Sequence, residues 1–125
     1  MTIAVSAKAK NMESQIEERF GRARWFLIYN LDDSSYNFIE NVKQLNALQG
    51  AGIQTAGALC NGGVNAVVTG HIGPKAFKVL MKAGVDIYLK EDGTVQEAVD
   101  DFKEGKLKKL HAPNVEGSLG ARISS

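Results

Sequence analysis

Cysteine is almost absent from this chain, which carries one, Cys60, among 125 residues. A single thiol excludes an intramolecular disulfide and is compatible with a reducing compartment. It also excludes a four-cysteine iron–sulfur or zinc site within one chain. Any inorganic cluster would therefore need other ligands or a mostly non-covalent cradle.

An excess of charge of one sign is also lacking, because 15 Lys and Arg residues face 14 Asp and Glu residues. This balance argues against binding to nucleic acid or to a membrane surface through bulk electrostatics, although it leaves room for a local basic patch. No apolar run reaches the roughly 20 residues that span a bilayer. The opening M-T-I-A-V-S-A lacks the basic and long apolar regions of a signal peptide. We therefore expect a cytoplasmic protein with one domain.

The pattern of apolar residues predicts the element order β-β-β-α-β-α-β-α. Crossover helices require parallel neighbouring strands, whereas hairpins require antiparallel ones. We therefore expect an α/β fold with a mixed five-stranded sheet and helices packed on it, in the manner of a ribonuclease-H-like fold. The predicted domain covers residues 1–104. The basic and then Gly- and Ser-rich stretch 105–125 is predicted to be a flexible C-terminal tail.

Helical spacing also predicts which side chains of two helices face the core. They are Ile53, Ala56 and Cys60 in the first helix and Phe77, Leu80 and Met81 in the second. This position favours a core thiol over a metal ligand for the single cysteine.

A polar loop at residues 8–23 is long for a connection inside a compact domain, and such loops are typically functional or mobile. In the predicted topology it lies at the edge where the strands end and where the helices begin, near 50–52, 72–75 and Thr94. Ligands of open α/β sheets favour this edge. Helix dipoles and the loop residues Arg19 and Arg22 would favour an anion there. Solvated loop arginines with no ligand are the alternative.

The stretch V-V-T-G-H-I-G-P-K-A-F runs from a predicted buried strand through a glycine-bracketed histidine into a helix. Pro74 fits the first helical position, where its missing N–H costs nothing. The free N–H groups of that helix start form an anion site if they are left open. His71 either binds a metal or a cluster sulfide or simply caps a backbone carbonyl, and the sequence leaves both interpretations open.

Three segments of the chain resemble the dinitrogenase iron–molybdenum cofactor biosynthesis family, which includes NifX, NifY and the C-terminal part of NifB. They read E-R-F-G-R-A-R-W-F-L-I-Y, G-A-G-I-Q-T-A-G-A-L and V-N-A-V-V-T-G-H-I-G-P-K-A-F-K-V-L-M-K-A-G-V-D-I-Y. The resemblance covers about residues 2–104. It implies a ribonuclease-H-like fold and a role in carrying or receiving an iron–sulfur or molybdenum-containing cluster or its precursor. The family's loop usually reads H-F-G-x-A, with the histidine considered a cluster ligand. Here Arg19 stands at that position, which implies a cationic contact in place of a metal bond.

Together these observations predict a non-catalytic cytoplasmic protein that binds or carries an anionic metal–sulfur cluster. We expect a monomer or weak homodimer that works with a cluster-delivering or cluster-accepting protein, without nucleic acid or membrane as partners. No residue is assigned as a metal ligand. The residues expected to contact the cluster are Arg19, Phe20, Gly21, Arg22, Gly70, His71, Ile72, Gly73, Pro74 and Lys75.

Two other classes of function were weighed. A protein-interaction or regulatory module with the same fold and no cluster is the alternative. A nuclease is excluded, because nuclease sites need several carboxylates that converge on divalent metal. The first predicted strand, T-I-A-V-S-A, has none, and Asp32 and Asp33 fall at a turn on the opposite edge.

Overall fold

The structure, a computed structural model, describes residues 1–41 and 51–115. One mixed sheet has the strand order β3-β2-β1-β4-β5-β6. The strands are β1 (Thr2–Ala7), β2 (Trp25–Asn30), β3 (Tyr36–Glu40), β4 (Ala66–Thr69), β5 (Asp86–Leu89) and β6 (Lys108–Lys109). The helices are α1 (Ala51–Asn61), α2 (Pro74–Lys82) and α3 (Val95–Lys103), and a short 3-10 turn covers Phe20–Arg22.

The sheet has six strands, so the prediction of five was wrong, while the mixed α/β architecture is confirmed. β1 pairs antiparallel with β2 and parallel with β4, and β4 pairs parallel with β5. The additional strand, β6, pairs antiparallel with β5. Two consecutive lysines have no apolar alternation, so the sequence gives no signal for a strand that forms through main-chain hydrogen bonds.

Helices cover both faces of the sheet. On one face α1, α2 and the 3-10 turn pack on a core that includes Ala4, Phe26 and Val67. On the other face α3 packs on a second core that includes Ile3 and Val5. β1 and β4 are buried on both faces, which explains why both are almost continuously apolar.

Two side chains expected in the core are exposed instead. Ile53 is 36% exposed and Met81 is 45% exposed. In α1 the buried face contains Ala56 and Leu59, and the helical period puts Ile53 at the border of that face. Cys60 is half-buried and packs against the core from the same border. In α2 the inward face contains Ala76, Phe77 and Leu80, and Met81 is turned away by about 100° from its neighbour.

The stretch that follows α3 differs from the expected flexible tail in its described part. β6 lies in the sheet, the Leu110 amide donates to the Ile87 carbonyl at 2.8 Å, and the Leu110 side chain packs against the core. Residues 116–125 lie outside the described ranges, as do the end of the third predicted strand and the polar connection that precedes α1. None of the helices in residues 1–41 and 51–115 has both the length and the apolar character needed to cross a membrane.

Candidate functional site

The polar loop at residues 8–23 is tied to the end of β1 by backbone hydrogen bonds. The Lys8 amide donates to the Gln15 carbonyl at 3.1 Å, and the Glu17 amide donates to the Ser6 carbonyl at 3.1 Å. The chain therefore turns back antiparallel along β1, with a bridge between Ala7 and Ile16. The loop forms a fixed ribbon over the carboxyl end of β1.

Buried polar groups hold this ribbon from below. The Ser6 hydroxyl donates to the Glu17 carbonyl at 2.7 Å, and its oxygen also lies 2.9 Å from the Thr69 hydroxyl of β4. All three residues are buried, so these hydrogen bonds are shielded from water. Buried polar groups need such partners, because an unpaired one costs about 1–3 kcal/mol.

Glu17 orients the first of the two loop arginines. One carboxylate oxygen of Glu17 accepts from the Arg19 amide at 3.0 Å and from Arg19 Nε at 3.2 Å. The Glu17 side chain is 10% exposed and the Arg19 side chain 62% exposed. The guanidinium is thus held at its Nε, and its terminal nitrogens lie outside this pair. Sequence reasoning missed Glu17, because a glutamate two residues before an arginine in a polar loop carries no recognisable signal.

The loop lies directly against the histidine corner that follows β4. Arg19 and His71 form a parallel bridge. The His71 amide donates to the Glu18 carbonyl, and the Phe20 amide donates to the His71 carbonyl at 2.9 Å. The predicted juxtaposition of the arginine loop and the G-H-I-G corner is therefore present in the fold.

Gly70 is required by this close approach. A Cβ at position 70 would lie 2.7 Å from the Glu18 carbonyl oxygen and 2.9 Å from the Glu18 Cβ. Real Cβ contacts are longer than this, so any larger residue must push the loop away. The glycine is needed for space and not for a left-handed backbone.

The side chain of His71 is bonded to a carboxylate. Its Nε2 lies 2.9 Å from Glu91 Oε2, and the imidazole is 36% exposed. Neither of the expected arrangements, a cap on a backbone carbonyl or a metal bond, describes this contact. The neighbouring Glu18 carboxyl has a pKa below its ordinary value, because it accepts a backbone hydrogen bond and lies near positively charged Lys8 and Arg19.

Asn114 holds the same corner from the other side, a role that no sequence pattern predicts. Asn114 Oδ1 accepts from the Ile72 amide at 2.8 Å, and Asn114 Nδ2 donates to the Gly70 carbonyl at 2.8 Å. The Asn114 amide also donates to the Ile72 carbonyl at 3.2 Å. Asn114 lies in the stretch 105–125, which was predicted to be a flexible tail and therefore contributed no site residue.

Two helix starts at this edge differ in how their N–H groups are bonded. At α3 the Thr94 side chain and the Glu97 side chain form a capping box, and the loop carbonyls of Ser14 and Met12 accept from the next two amides at 2.9 Å each. The amides at this helix start are therefore already bonded within the protein and are not open to an anion. At α2, Gly73 has the extended N-cap backbone, and no side chain of the described residues caps it.

The residues predicted to contact the cluster differ in how exposed they are. Arg19, Arg22, Pro74 and Lys75 are exposed, while Gly21, His71 and Gly73 are half-buried. Phe20 and Ile72 have side chains that are each 1% exposed and belong to the core, so only their backbone faces the edge. We call the edge that carries Arg19, Arg22, His71 and Lys75 the cationic edge, after its two arginines and its lysine.

The chemistry of the cationic edge suits an anion better than a bare metal ion. Within residues 1–41 and 51–115 no three His, Cys, Asp or Glu side chains are grouped so that they could hold a metal ion. Cys60 lies nine residues into α1, about 14 Å along the helix from its start, and does not belong to the edge. The edge offers the ammonium of Lys75 in the first turn of α2 and the guanidinium groups of the loop, which attract negative charge. Arg19 and His71 already contact the carboxylates of Glu17 and Glu91.

The chain belongs to a known family of cofactor-related α/β domains. The profile of the dinitrogenase iron–molybdenum cofactor family matches residues 1–105, and the chain is a member of that family. The resemblance found in the sequence is thereby confirmed.

Several relatives share most of the chain. The apo form of the orange protein from Desulfovibrio gigas is 32% identical with a TM-score of 0.87, over 90% of this chain and 95% of that one. A Thermotoga protein provisionally described as NifB is 34% identical with a TM-score of 0.81, over 93% of this chain and 98% of that one. An uncharacterised protein of Methanocaldococcus jannaschii is 33% identical over 100 residues, which are 78% of this chain and 84% of that protein.

Proposed function

We propose that this protein binds an anionic metal–sulfur cluster, or a precursor of one, at the cationic edge and carries it as cargo without turnover of its own. The cargo class is an iron–sulfur or molybdenum-containing cluster. Binding is reversible and mostly electrostatic, and it takes place in the cytoplasm. A second protein delivers the cluster or accepts it.

The observation that carries this proposal is the backbone pairing of the arginine loop with the histidine corner. The bridge between Arg19 and His71 brings the backbone of the arginine to the end of β4, two residues before the N-cap of α2. Charge-assisted hydrogen bonds from guanidinium groups are among the stronger polar contacts in proteins. A multiply charged inorganic anion would accept several such hydrogen bonds at once.

The family supports the same cargo. It takes its name from the dinitrogenase iron–molybdenum cofactor, and it is a family of cofactor biosynthesis. The orange protein was solved in an apo form, the term for a protein without its ligand. The ribonuclease-H-like character of the fold, predicted from the order of elements and from the family resemblance, stays part of the proposal.

The side chains at the cationic edge support a cluster that is held without bonds from cysteine thiolates. The one cysteine lies away from the edge, and the one imidazole at the edge already pairs with Glu91. The guanidinium of Arg19 has hydrogen-bond donors and no acceptor, so it offers no lone pair to a metal. The cluster would therefore arrive with its sulfide ligands in place and would leave with them.

Anaerobic purification followed by metal, sulfide and visible-absorption analysis tests the proposal directly. Titration with tetrathiomolybdate, a small anionic metal–sulfur compound, should shift the backbone resonances of 19–22 and 70–75 first. Shifts confined to the Asp32–Ser35 turn, at the opposite edge, would overturn the assignment of the site.

A protein-interaction module that binds no cluster is the alternative, and a groove on the outer side of α1 favours it. The groove has a volume of about 400 Å³ and is lined by Ile53, Gln54, Gly57, Ala58, Asn61 and Val79. Under this alternative the purified protein would contain no metal or sulfide and would not respond to tetrathiomolybdate. Resonance shifts upon self-association would then fall on α1.

A further inference from the structure

The histidine corner is hydrogen-bonded from both sides by segments that are distant in sequence. On one side the loop carbonyl of Glu18 and the amide of Phe20 bond to the two backbone groups of His71. On the other side Asn114 bonds to the carbonyl of Gly70 and to both backbone groups of Ile72. The corner is therefore held between the loop on one side and Asn114 on the other.

This arrangement leaves little freedom to the histidine. The Ile72 side chain is 1% exposed and lies in the core. Successive side chains of an extended segment point to opposite faces, so His71 points outward, where it meets Glu91. Asn114 bonds to the peptide groups on both sides of His71. These bonds fix the backbone from which the imidazole projects and the backbone that leads into α2.

The segment that carries Asn114 is anchored independently of the corner. β6 pairs with β5, and Lys109 Nζ lies 3.2 Å from an Asp86 carboxylate oxygen. The Leu110 amide bonds to the Ile87 carbonyl, and its side chain packs on the core. These contacts lie beyond residue 105, where the family match ends.

We propose that Asn114 is a positioning residue for the cationic edge, and that docking of residues 106–114 sets the geometry of the Gly70–Ile72 corner. The side-chain amide acts as a backbone mimic, with one donor and one acceptor that match the two peptide groups next to His71. We call the hydrogen bonds of Asn114 to Gly70 and Ile72 the clamp. The role of the clamp in ligand binding rests on the proposed function, whereas the clamp itself does not.

The test uses the full chain and three variants. Asn114→Ala removes both side-chain hydrogen bonds, and Asn114→Asp keeps the acceptor for the Ile72 amide but loses the donor to Gly70. His111→Ala is the matched control, since it alters an exposed residue of the same segment. The first readout is the amide hydrogen exchange rate of Ile72, and the second is the affinity for tetrathiomolybdate.

Asn114→Ala should raise the exchange rate of the Ile72 amide about tenfold, the change expected from the loss of one or two hydrogen bonds. Asn114→Asp should restore most of the protection, and His111→Ala should exchange like the wild type. The affinity for tetrathiomolybdate should fall severalfold in Asn114→Ala and also in Asn114→Asp, where the new carboxylate repels the anion, and should be unchanged in His111→Ala.

Each contrary result decides a separate point. Unchanged exchange at Ile72 in Asn114→Ala would overturn the clamp. Faster exchange with an unchanged affinity would overturn its role in positioning the cationic edge. If the wild type binds no tetrathiomolybdate and Ile72 still loses protection in Asn114→Ala, the proposed function fails and the clamp stands.

Discussion

Two helices begin at the same edge of the sheet, and their first turns are bonded in opposite ways. α3 begins with a capping box between Thr94 and Glu97, and its next amides donate to the loop carbonyls of Ser14 and Met12. α2 begins at Gly73 with no side-chain cap from the described residues. Parallel β-α connections bring the N-termini of both helices to this edge. The loop carbonyls, however, accept hydrogen bonds from the first amides of α3.

The difference shows that the loop at residues 8–23 has two roles. It bonds to the first amides of α3, and it brings Arg19 to the corner before α2. Residues 12–16 of the loop bond to the start of α3, and residues 18–20 bond to the corner that leads into α2. The same ribbon thereby occupies the first amides of α3 and pairs Arg19 with the corner that leads into α2. Under the proposed function, the loop therefore decides which of the two helix starts can receive the anion, and variants that move the loop should erase this difference.

Gly70→Ala should have the largest effect, because it separates the loop from the corner. The new methyl group would lie 2.7 Å from the Glu18 carbonyl oxygen, and overpacking of this kind costs about 1–3 kcal/mol. We expect the free energy of unfolding to fall by about 2 kcal/mol in urea denaturation, with loss of tetrathiomolybdate binding.

Gly57→Ala is the matched control. Apart from the adjacent backbone of the helix, nothing lies within 4 Å of a Cβ built at this position in α1, and alanine in a helix interior is more stable than glycine by about 0.5–1 kcal/mol. This variant should be slightly stabilised. A Gly70→Ala protein as stable as the wild type would contradict the close packing of the loop.

Arg19→Ala should have the next largest effect, on affinity. A hydrogen bond to a charged group is worth about 1.5–3 kcal/mol, so the affinity for tetrathiomolybdate should fall about tenfold or more. Arg19→Lys should retain much of the binding, and raised salt should weaken the wild-type complex because exposed charges are screened. Isothermal titration at low and high salt measures all three effects.

Arg19→His sharpens the same comparison, because it introduces the residue usual in the family. An imidazole can bind iron, whereas an arginine cannot at neutral pH. The visible spectrum of a bound iron cluster should therefore shift in this variant only. Equal affinities of the wild type and Arg19→Ala would mean that the loop contributes no contact.

Thr94→Ala should reduce stability without affecting binding. Loss of an N-cap side chain costs about 1 kcal/mol, and the start of α3 is already closed by the loop carbonyls. Urea denaturation should show the loss, and titration with tetrathiomolybdate should give the wild-type affinity. A weaker affinity would show that α3 takes part in the site after all.

Cys60→Ala should cost no more than about 1 kcal/mol, the typical loss for a single substitution, and should leave the affinity unchanged. Burial raises the pKa of the Cys60 thiol, so the group stays protonated at neutral pH. Alkylation by iodoacetamide should be slow at pH 7 and faster as the pH rises through the raised pKa. Loss of a bound cluster with the fold intact would make the thiol a ligand.

Much of the edge follows from the sequence because it depends on topology. Strand order and direction can be derived from hairpins and crossovers, and they bring the loop, His71 and the helix starts to one end of the sheet. The glycine before His71 and the proline at the start of α2 were also recognisable from local backbone chemistry. These features depend on residue type and order alone.

The features that sequence reasoning missed depend on tertiary hydrogen bonds. β6 forms from two lysines that no periodicity distinguishes, and Asn114 bonds across 42 and 44 residues to Ile72 and Gly70. The closure of α3 by carbonyls of the loop involves main-chain groups that every residue has. Such contacts leave no pattern in residue types, so only the folded chain reveals them.

Gly73→Ser should have the smallest effect on stability and bears most directly on the contrast between the two helix starts. Gly73 has the extended backbone of an N-cap residue, with φ −81° and ψ 169°, and serine exceeds glycine at this position by a few tenths of a kcal/mol. Its hydroxyl oxygen would accept from an amide of the first turn of α2, as the Thr94 oxygen does in α3. The variant should therefore unfold at a slightly higher urea concentration but bind tetrathiomolybdate severalfold more weakly, because the amide is occupied and an oxygen lone pair faces the anion. Gly73→Ala, which adds a side chain without an acceptor, should lower stability and leave more of the affinity. If Gly73→Ser binds as tightly as the wild type, the start of α2 takes no part in the site, and the arginines and His71 account for the binding.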